Sequence, residues 1–222
     1  MIRFTFLPSE IFYFILIVLG YVFCTGPIYS KIFIGILVLV ILFIFRKTLV
    51  PFRDTLKNDG EIFLSPVYGV VESIRRDTTT WDELSSSHEI RISVGFLDQK
   101  GLYLPTSSEV GFLKANKGYK IPRYSESQNF YRPLEELAHT DFILLSKNKT
   151  KTLMRFIDCK YGIRPSIWLK SGDRGRAAAC FGHYPFGGTL IIYLPQNSDI
   201  LVFEKEKLVP GQSVIAAIKD MK

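Results

Sequence analysis

Two apolar runs in the first fifty residues constrain this chain more than any other feature: IFYFILIVLGYVFC at 11–24 and IFIGILVLVILFIF at 32–45, separated by TGPIYSK at 25–31. Neither run holds a charge, which is the signature of membrane insertion. Fourteen residues rise only about 21 Å as helix, short of the roughly 30 Å hydrocarbon core, so each span must borrow flanking residues. The sequence therefore predicts an N-terminal transmembrane helical hairpin over 1–50, with spans of about 11–27 and 29–45 and Gly26-Pro27 at its tip. A re-entrant hairpin seated in one leaflet is the alternative that such short runs leave open. A cleaved signal peptide fits less well, because Glu10 precedes the first run, no small-residue cleavage site follows it and a second apolar run comes directly after.

Charge supports the same reading. The net charge of +7 divides into +3 for residues 1–50, where Arg3, Lys31, Arg46 and Lys47 face Glu10 alone, and +4 for the rest. No basic run mixed with aromatics exists, so nucleic acid is not expected as a partner. Arg46, Lys47, Arg53 and Lys57 follow the second run, which places the body on the cytoplasmic side of an integral membrane protein, with Lys31 in the tip as the single dissent. The three cysteines agree with a reducing compartment: Cys24 lies in the first run, while Cys159 and Cys180 form no CxxC pair and give neither a disulfide framework nor a zinc ribbon. Cys180-x-x-His183 has no partner pair at ligand spacing, so a buried thiol and an ordinary histidine are expected rather than a metal site.

Beyond residue 50, short β-rich runs bounded by Gly, Pro, Asn and Asp dominate, at 69–74, 89–96, 102–104, 141–145, 152–156, 167–169, 189–194 and 200–203. Only RPLEELA at 132–138 hints at a helical turn, and the polar segment 77–88, which carries Trp81, reads as an exposed loop. The expected body, 51–222, is mainly β, with antiparallel strands packed as a barrel-like sandwich.

Five short segments fall in one order: FRD at 52–54, LSPVYGVV at 64–71, GD at 172–173, FGGT at 186–189 and LVPGQSVIA at 208–216. In that order and spacing they resemble the short, membrane-associated phosphatidylserine decarboxylases, over about 51–218. The resemblance implies that family's β body with a lipoyl-like C-terminal hairpin over 203–218, turning at Gly211. It also implies a chemistry. A Gly-Ser bond is broken when the serine hydroxyl, assisted by a histidine and an aspartate, attacks the preceding carbonyl, and the serine becomes an N-terminal pyruvoyl group. That ketone takes the substrate amine as a Schiff base and serves as the electron sink for decarboxylation.

This sequence departs from the pattern at each of those places. Alignment without a gap puts Gly187 and Gly188 at the family's Gly-Ser, and glycine carries no nucleophile. Tyr68 stands where the SPADG-like turn has its aspartate, and a phenol with an ordinary pKa near 10 does not replace a carboxylate at neutral pH. Aligning FLDQKGLY at 96–103 with the family's strand and loop puts Tyr103 at the histidine. Thr189 is the alternative nucleophile: rearrangement at the Gly188-Thr189 bond would yield a ketobutyryl group, with His183 as a conceivable base, against the plainer reading that Thr189 opens a strand. Asp173 and Glu204 read as turn and surface carboxylates, and Lys170, Arg174 and Arg176 as a basic loop able to meet anionic headgroups.

The leading expectation is a membrane-anchored, catalytically degenerate member of that family. It would form no pyruvoyl cofactor and would bind membrane phospholipid such as phosphatidylserine, or associate with an active relative or with further copies of itself. Whether it is an enzyme stays open. The alternatives are an active aminophospholipid decarboxylase processed at Thr189, and a membrane-tethered β interaction module with no lipid link.

Overall fold

The computed structural model describes residues 9–44, 60–78, 87–96, 98–120, 134–146, 148, 150–158, 164–185 and 187–219. The chain divides into two compact units, Met1–Thr48 and Leu49–Lys222.

The first unit holds two helices, α1 (Ser9–Thr25) and α2 (Ile28–Ile44), of 17 residues each. They are separated by Gly26 and Pro27; Gly26 N–H closes the end of α1 on Val22 O at 2.9 Å, and Pro27 O accepts from Ser30 N at 3.1 Å at the start of α2. Helices of this length rise about 26 Å. Among the described residues, no helix is long and apolar enough to cross a membrane. The helices have the length of the spans expected at 11–27 and 29–45, displaced by two residues and one, but the expected transmembrane hairpin is not supported, because each helix rises less than the roughly 30 Å of a hydrocarbon core. Their side chains are nonetheless apolar and outward-facing: Phe14, Ile17, Tyr21, Ile28, Phe33 and Leu39 are each more than half exposed.

The second unit is mainly β. Its strands are β1 (Gly60–Leu64), β2 (Gly69–Thr78), β3 (Ser87–Val94), β4 (Gly101–Tyr103), β5 (Ser108–Asn116), β6 (His139–Ser146), β7 (Lys151–Ile157), β8 (Ser166–Ile167), β9 (Arg174–Gly175), β10 (Cys180–His183), β11 (Gly188–Pro195), β12 (Ser198–Ile200), β13 (Lys207–Leu208) and β14 (Val214–Lys219). Eight of them form one sheet in the order β13-β2-β3-β11-β7-β6-β5-β9; β1-β14-β12 and β4-β10-β8 form two smaller sheets. All these strand pairings are antiparallel. Six of the eight runs expected from the sequence lie largely in strands, 167–169 and 200–203 touch one only at Ile167 and Ile200, and 132–138 holds a 3-10 turn at Leu134–Glu136.

Strand β11, GTLIIYLP, lies between β3 and β7 and explains the layering. Alternate side chains of a strand point to opposite faces. Leu190, Ile192 and Leu194 enter the larger core with Phe63, Phe142 and Phe156, while Ile191 and Tyr193 enter a second cluster with Ile143, Leu153 and Ile157. With both faces covered, a continuous apolar run is stable where an alternating one would be expected on a half-exposed sheet.

The second face also buries charge. Arg91 pairs with Glu89, and Arg155 makes a two-pronged pair with Asp141, Nε–Oδ1 at 2.7 Å and Nη2–Oδ2 at 2.9 Å. His139 lies 3.5 Å from Asp141, accepts from Asn116 Nδ2 at 2.8 Å through Nε2, and donates from Nδ1 to Leu137 O at 2.6 Å.

The lipoyl-like hairpin expected at 203–218 is corrected. The Gly211 turn is present, with φ +70°, but its two arms join different sheets: β13 pairs with β2, and β14 pairs with β1 and β12. Arms that spend their backbone hydrogen bonds on other neighbours cannot pair with each other.

Candidate functional site

The sequence points to the turn entering β11, and the backbone there is one that side chains rarely adopt. Gly187 has φ +71° and Gly188 φ +143°. A Cβ on Gly187 would lie 2.3 Å from Val94 O and 3.0 Å from Gly95 O, both backbone atoms that cannot swing aside. Gly187 N donates to Tyr184 O at 3.1 Å, and Gly188 pairs with Val94 at the end of β3. The turn is thus clamped between β3 and the end of β10.

The two tyrosines expected from the alignment come together. Ser65 starts the 65–69 turn, with its buried Oγ donating to Val67 O at 2.8 Å, and Pro66 O accepts the Tyr103 backbone N–H at 2.9 Å. Gln99 Nε2 donates to the Tyr103 hydroxyl at 3.1 Å. Burial holds the Tyr103 phenol well above its ordinary range; nearby Cys180 and Tyr68 add to this, and the Gln99 hydrogen bond acts against it. Tyr103 is accordingly a neutral phenol at any physiological pH and cannot serve as a base there.

Lysine 100 is the residue that sequence reasoning missed. The loop from β3 to β4 is held by Asp98, whose carboxylate accepts Gly95 N–H at 2.6 Å, and this folds Lys100 inward. The Lys100 side chain is fully buried and its Nζ donates to Gly95 O, the same carbonyl that crowds Gly187. Burial lowers its ammonium to about 8, against the opposing pull of Asp98. A lysine between two glycines and a loop aspartate reads as solvated, and nothing in the local pattern marks it as inward; Gln99 escapes notice for the same reason.

Thr189 follows Gly188 but faces the other way. Its pairing with Ser93 and Ile157 puts its side chain on the Ile191 face, whereas Gly188 is opposite Val94, a member of the larger core. Thr189 is fully buried within the ladder between β3 and β7. His183 belongs to β10, paired with Gly101 and Ser166, with its ring 6.1 Å from that of Trp168, and burial lowers its pKa so that it is neutral.

The basic residues separate into two places. Lys170 sits on an exposed turn closed by Asp173, whose carboxylate accepts Lys170 N–H at 2.7 Å. Arg174 and Arg176 instead line a cavity of about 990 Å³, together with Lys151 of β7. Glu204, at the surface, accepts from Ile74 N at 3.4 Å. Among the described residues no group of three His, Cys, Asp or Glu side chains could hold a metal ion. The FRD segment at 52–54, Trp81 and Cys159 lie outside the described residues.

Chemically, this neighbourhood offers a backbone at Gly187-Gly188 that only glycine adopts without strain, a buried amine and the protonated phenol of Tyr103, but no hydroxyl at 188. The residues present do not fit a pyruvoyl group, since the atoms from which it would be made are lacking there. What fold and site define is an antiparallel β protein built around a late glycine turn. No protein-family profile matches the chain. It is, however, similar to three proteins described as phosphatidylserine decarboxylase proenzyme. It is 29% identical over 182 residues to that of Amoebophilus asiaticus (80% of this chain, 75% of the other). The figures are 25% over 194 residues for Ehrlichia chaffeensis (84% and 81%) and 23% over 185 residues for Carboxydothermus hydrogenoformans (83% and 82%). The chain is a distant relative of the phosphatidylserine decarboxylase family.

Proposed function

We propose that this chain is a catalytically degenerate member of the family in phospholipid metabolism. It remains an uncleaved single chain, binds membrane phospholipid such as phosphatidylserine, and associates with an active relative or with copies of itself. The observation that carries the reading is Gly188: where the family has its self-cleaving serine, this chain has a residue without a side chain, at a φ of +143° that serine rarely adopts. The neutral phenol of Tyr103 and the replacement of the turn aspartate by Tyr68 support it, as does the opposite-facing Thr189.

The helical unit is read as a membrane-embedded hairpin with the body on the cytoplasmic side. Support comes from its outward apolar side chains, which form far more exposed apolar surface than a soluble unit tolerates. Helices of 17 residues suit a hairpin seated in one leaflet. The expected result is that full-length protein, incubated with vesicles containing carboxyl-labelled phosphatidylserine, releases no labelled carbon dioxide above a protein-free blank. Sustained release by the folded protein would replace this reading with an active decarboxylase.

A further inference from the structure

We propose that the C-terminal end of β5 is a second membrane contact, which docks the body on the anionic surface of a phospholipid bilayer. This rests on the membrane part of the function proposed above and not on its catalytic part. Three exposed lysines, Lys114, Lys117 and Lys120, stand three residues apart there, with Leu113 42% and Tyr119 58% exposed among them. The fold adds two residues that are distant in the sequence. Gly172 N donates to Val110 O at 2.8 Å and Ser171 Oγ to Gly111 O, which brings the segment before them alongside the second half of β5. Trp168, 51% exposed, and the exposed Lys170 belong to that segment. A chain of core contacts fixes the same neighbourhood: Leu113 pairs with Phe142, the Phe142 ring stacks on that of Phe181 at 4.9 Å, and Phe181 O accepts Trp168 N–H at 2.9 Å.

The residue types and charges are complementary to a bilayer surface. Tryptophan and tyrosine concentrate at membrane–water interfaces, and lysines are drawn to an anionic leaflet. None of the four lysines has an ion-pair partner among the described residues. The acids around them are occupied or outnumbered: Asp173 turns its carboxylate onto Lys170 N–H, Asp141 opposite Lys114 is buried and held by Arg155, and Glu136 is exposed beside Tyr119. The contact is end-on. Leu113 is on the Phe142 side of the sheet and Lys114 on the Asp141 side, while residues 117–120 lie past the last ladder pair, Asn116 with His139. Such a strand end can dip two aromatic rings and a leucine into the headgroup layer while the lysine amines stay level with the phosphates. Nucleic acid also attracts lysines set among aromatics, but the hairpin read above as membrane-embedded tethers this body to a bilayer, which favours the lipid.

The test uses the full-length chain in lipid nanodiscs made of phosphatidylcholine alone or mixed with phosphatidylserine, both brominated in the acyl chains. The sequence holds two tryptophans, so Trp81→Phe leaves Trp168 as the sole fluorescent reporter. Quenching of Trp168 is expected to be about twofold greater, or more, in the discs that contain phosphatidylserine. Raised salt or the combined change Lys114→Gln, Lys117→Gln and Lys120→Gln should abolish that difference, and Lys207→Gln on β13 should leave it unchanged. All the substituted lysines are exposed, and a melting curve for each variant confirms folding. Amide hydrogen exchange over 110–120 reads the same contact in the unsubstituted chain and should slow only with phosphatidylserine. Equal quenching in both kinds of disc, quenching in neither, or release of Trp168 from the bilayer by single-stranded DNA overturns the proposal. Co-elution of the chain with the discs reports on the hairpin separately, so failure of the patch and failure of the anchor are distinguishable.

Discussion

Replacing Gly187 with alanine is expected to lower the stability of the body by about 3–5 kcal/mol and its Tm by roughly 10 °C. Two costs combine. At φ +71° an L side chain is strained by about 1–2 kcal/mol. The added Cβ would also lie 2.3 Å from Val94 O and 3.0 Å from Gly95 O, so the end of β3 must part from β11, where Val94 pairs with Gly188. Gly172 separates the two costs. It has φ +88° but open space around it, so Gly172→Ala should cost only the strain, about 1 kcal/mol. Melting curves of both variants check this; equal losses at 172 and 187 would mean that the clamp around the turn contributes nothing.

Removing the Asp141 carboxylate should have an effect of similar size for an electrostatic reason. Asp141→Ala leaves the buried Arg155 guanidinium without its two-pronged partner, and breaking a buried pair from one side costs about 3–5 kcal/mol. The pair also predicts a pH dependence. Burial acts to raise the Asp141 pKa, but hydrogen bonds from His139 and Arg155 and their charges outweigh it, so the folded value lies below the ordinary 3.8. A carboxylate with a depressed folded pKa stabilises the fold above its unfolded pKa and loses that contribution as pH falls through the folded value. Denaturant unfolding should therefore show the full gap between wild type and Asp141→Ala at pH 7, and a gap that shrinks steadily below about pH 4. A gap independent of pH would show that packing, not charge, accounts for the loss.

Several strands were legible in the sequence because runs such as TLIIYL are apolar, rich in β-branched residues and bounded by glycine and proline, a pattern set by local chemistry. Strand β5 was missed: SEVGFLKAN carries a bulge between Val110 and Phe112, which breaks the alternation that would have revealed it. Strand β10 is only CFGH, too short to register. The C-terminal segment failed in a different way, since the Gly211 turn is local but the partners of β13 and β14 are set by distant residues, Gly69, Val70 and those of β1 and β12. At the site, Tyr68 and Tyr103 were identified by alignment and the fold brings them together, whereas Lys100 was invisible because its inward course depends on the Asp98 hydrogen bond to Gly95. The two helices and the Gly26-Pro27 break between them were legible from hydropathy, but a 17-residue helix does not by itself span a bilayer.

The absence of a nucleophile at Gly188 can be read directly from the mass of the purified protein. A family member that processes itself separates at the bond before the residue that becomes its pyruvoyl group, whereas a chain with glycine there has no hydroxyl to begin that rearrangement. Intact-mass measurement of the purified full-length protein should give one species of 25.4 kDa. Two fragments divided at Gly187-Gly188 or Gly188-Thr189, the later one with a carbonyl-blocked N-terminus, would contradict the account.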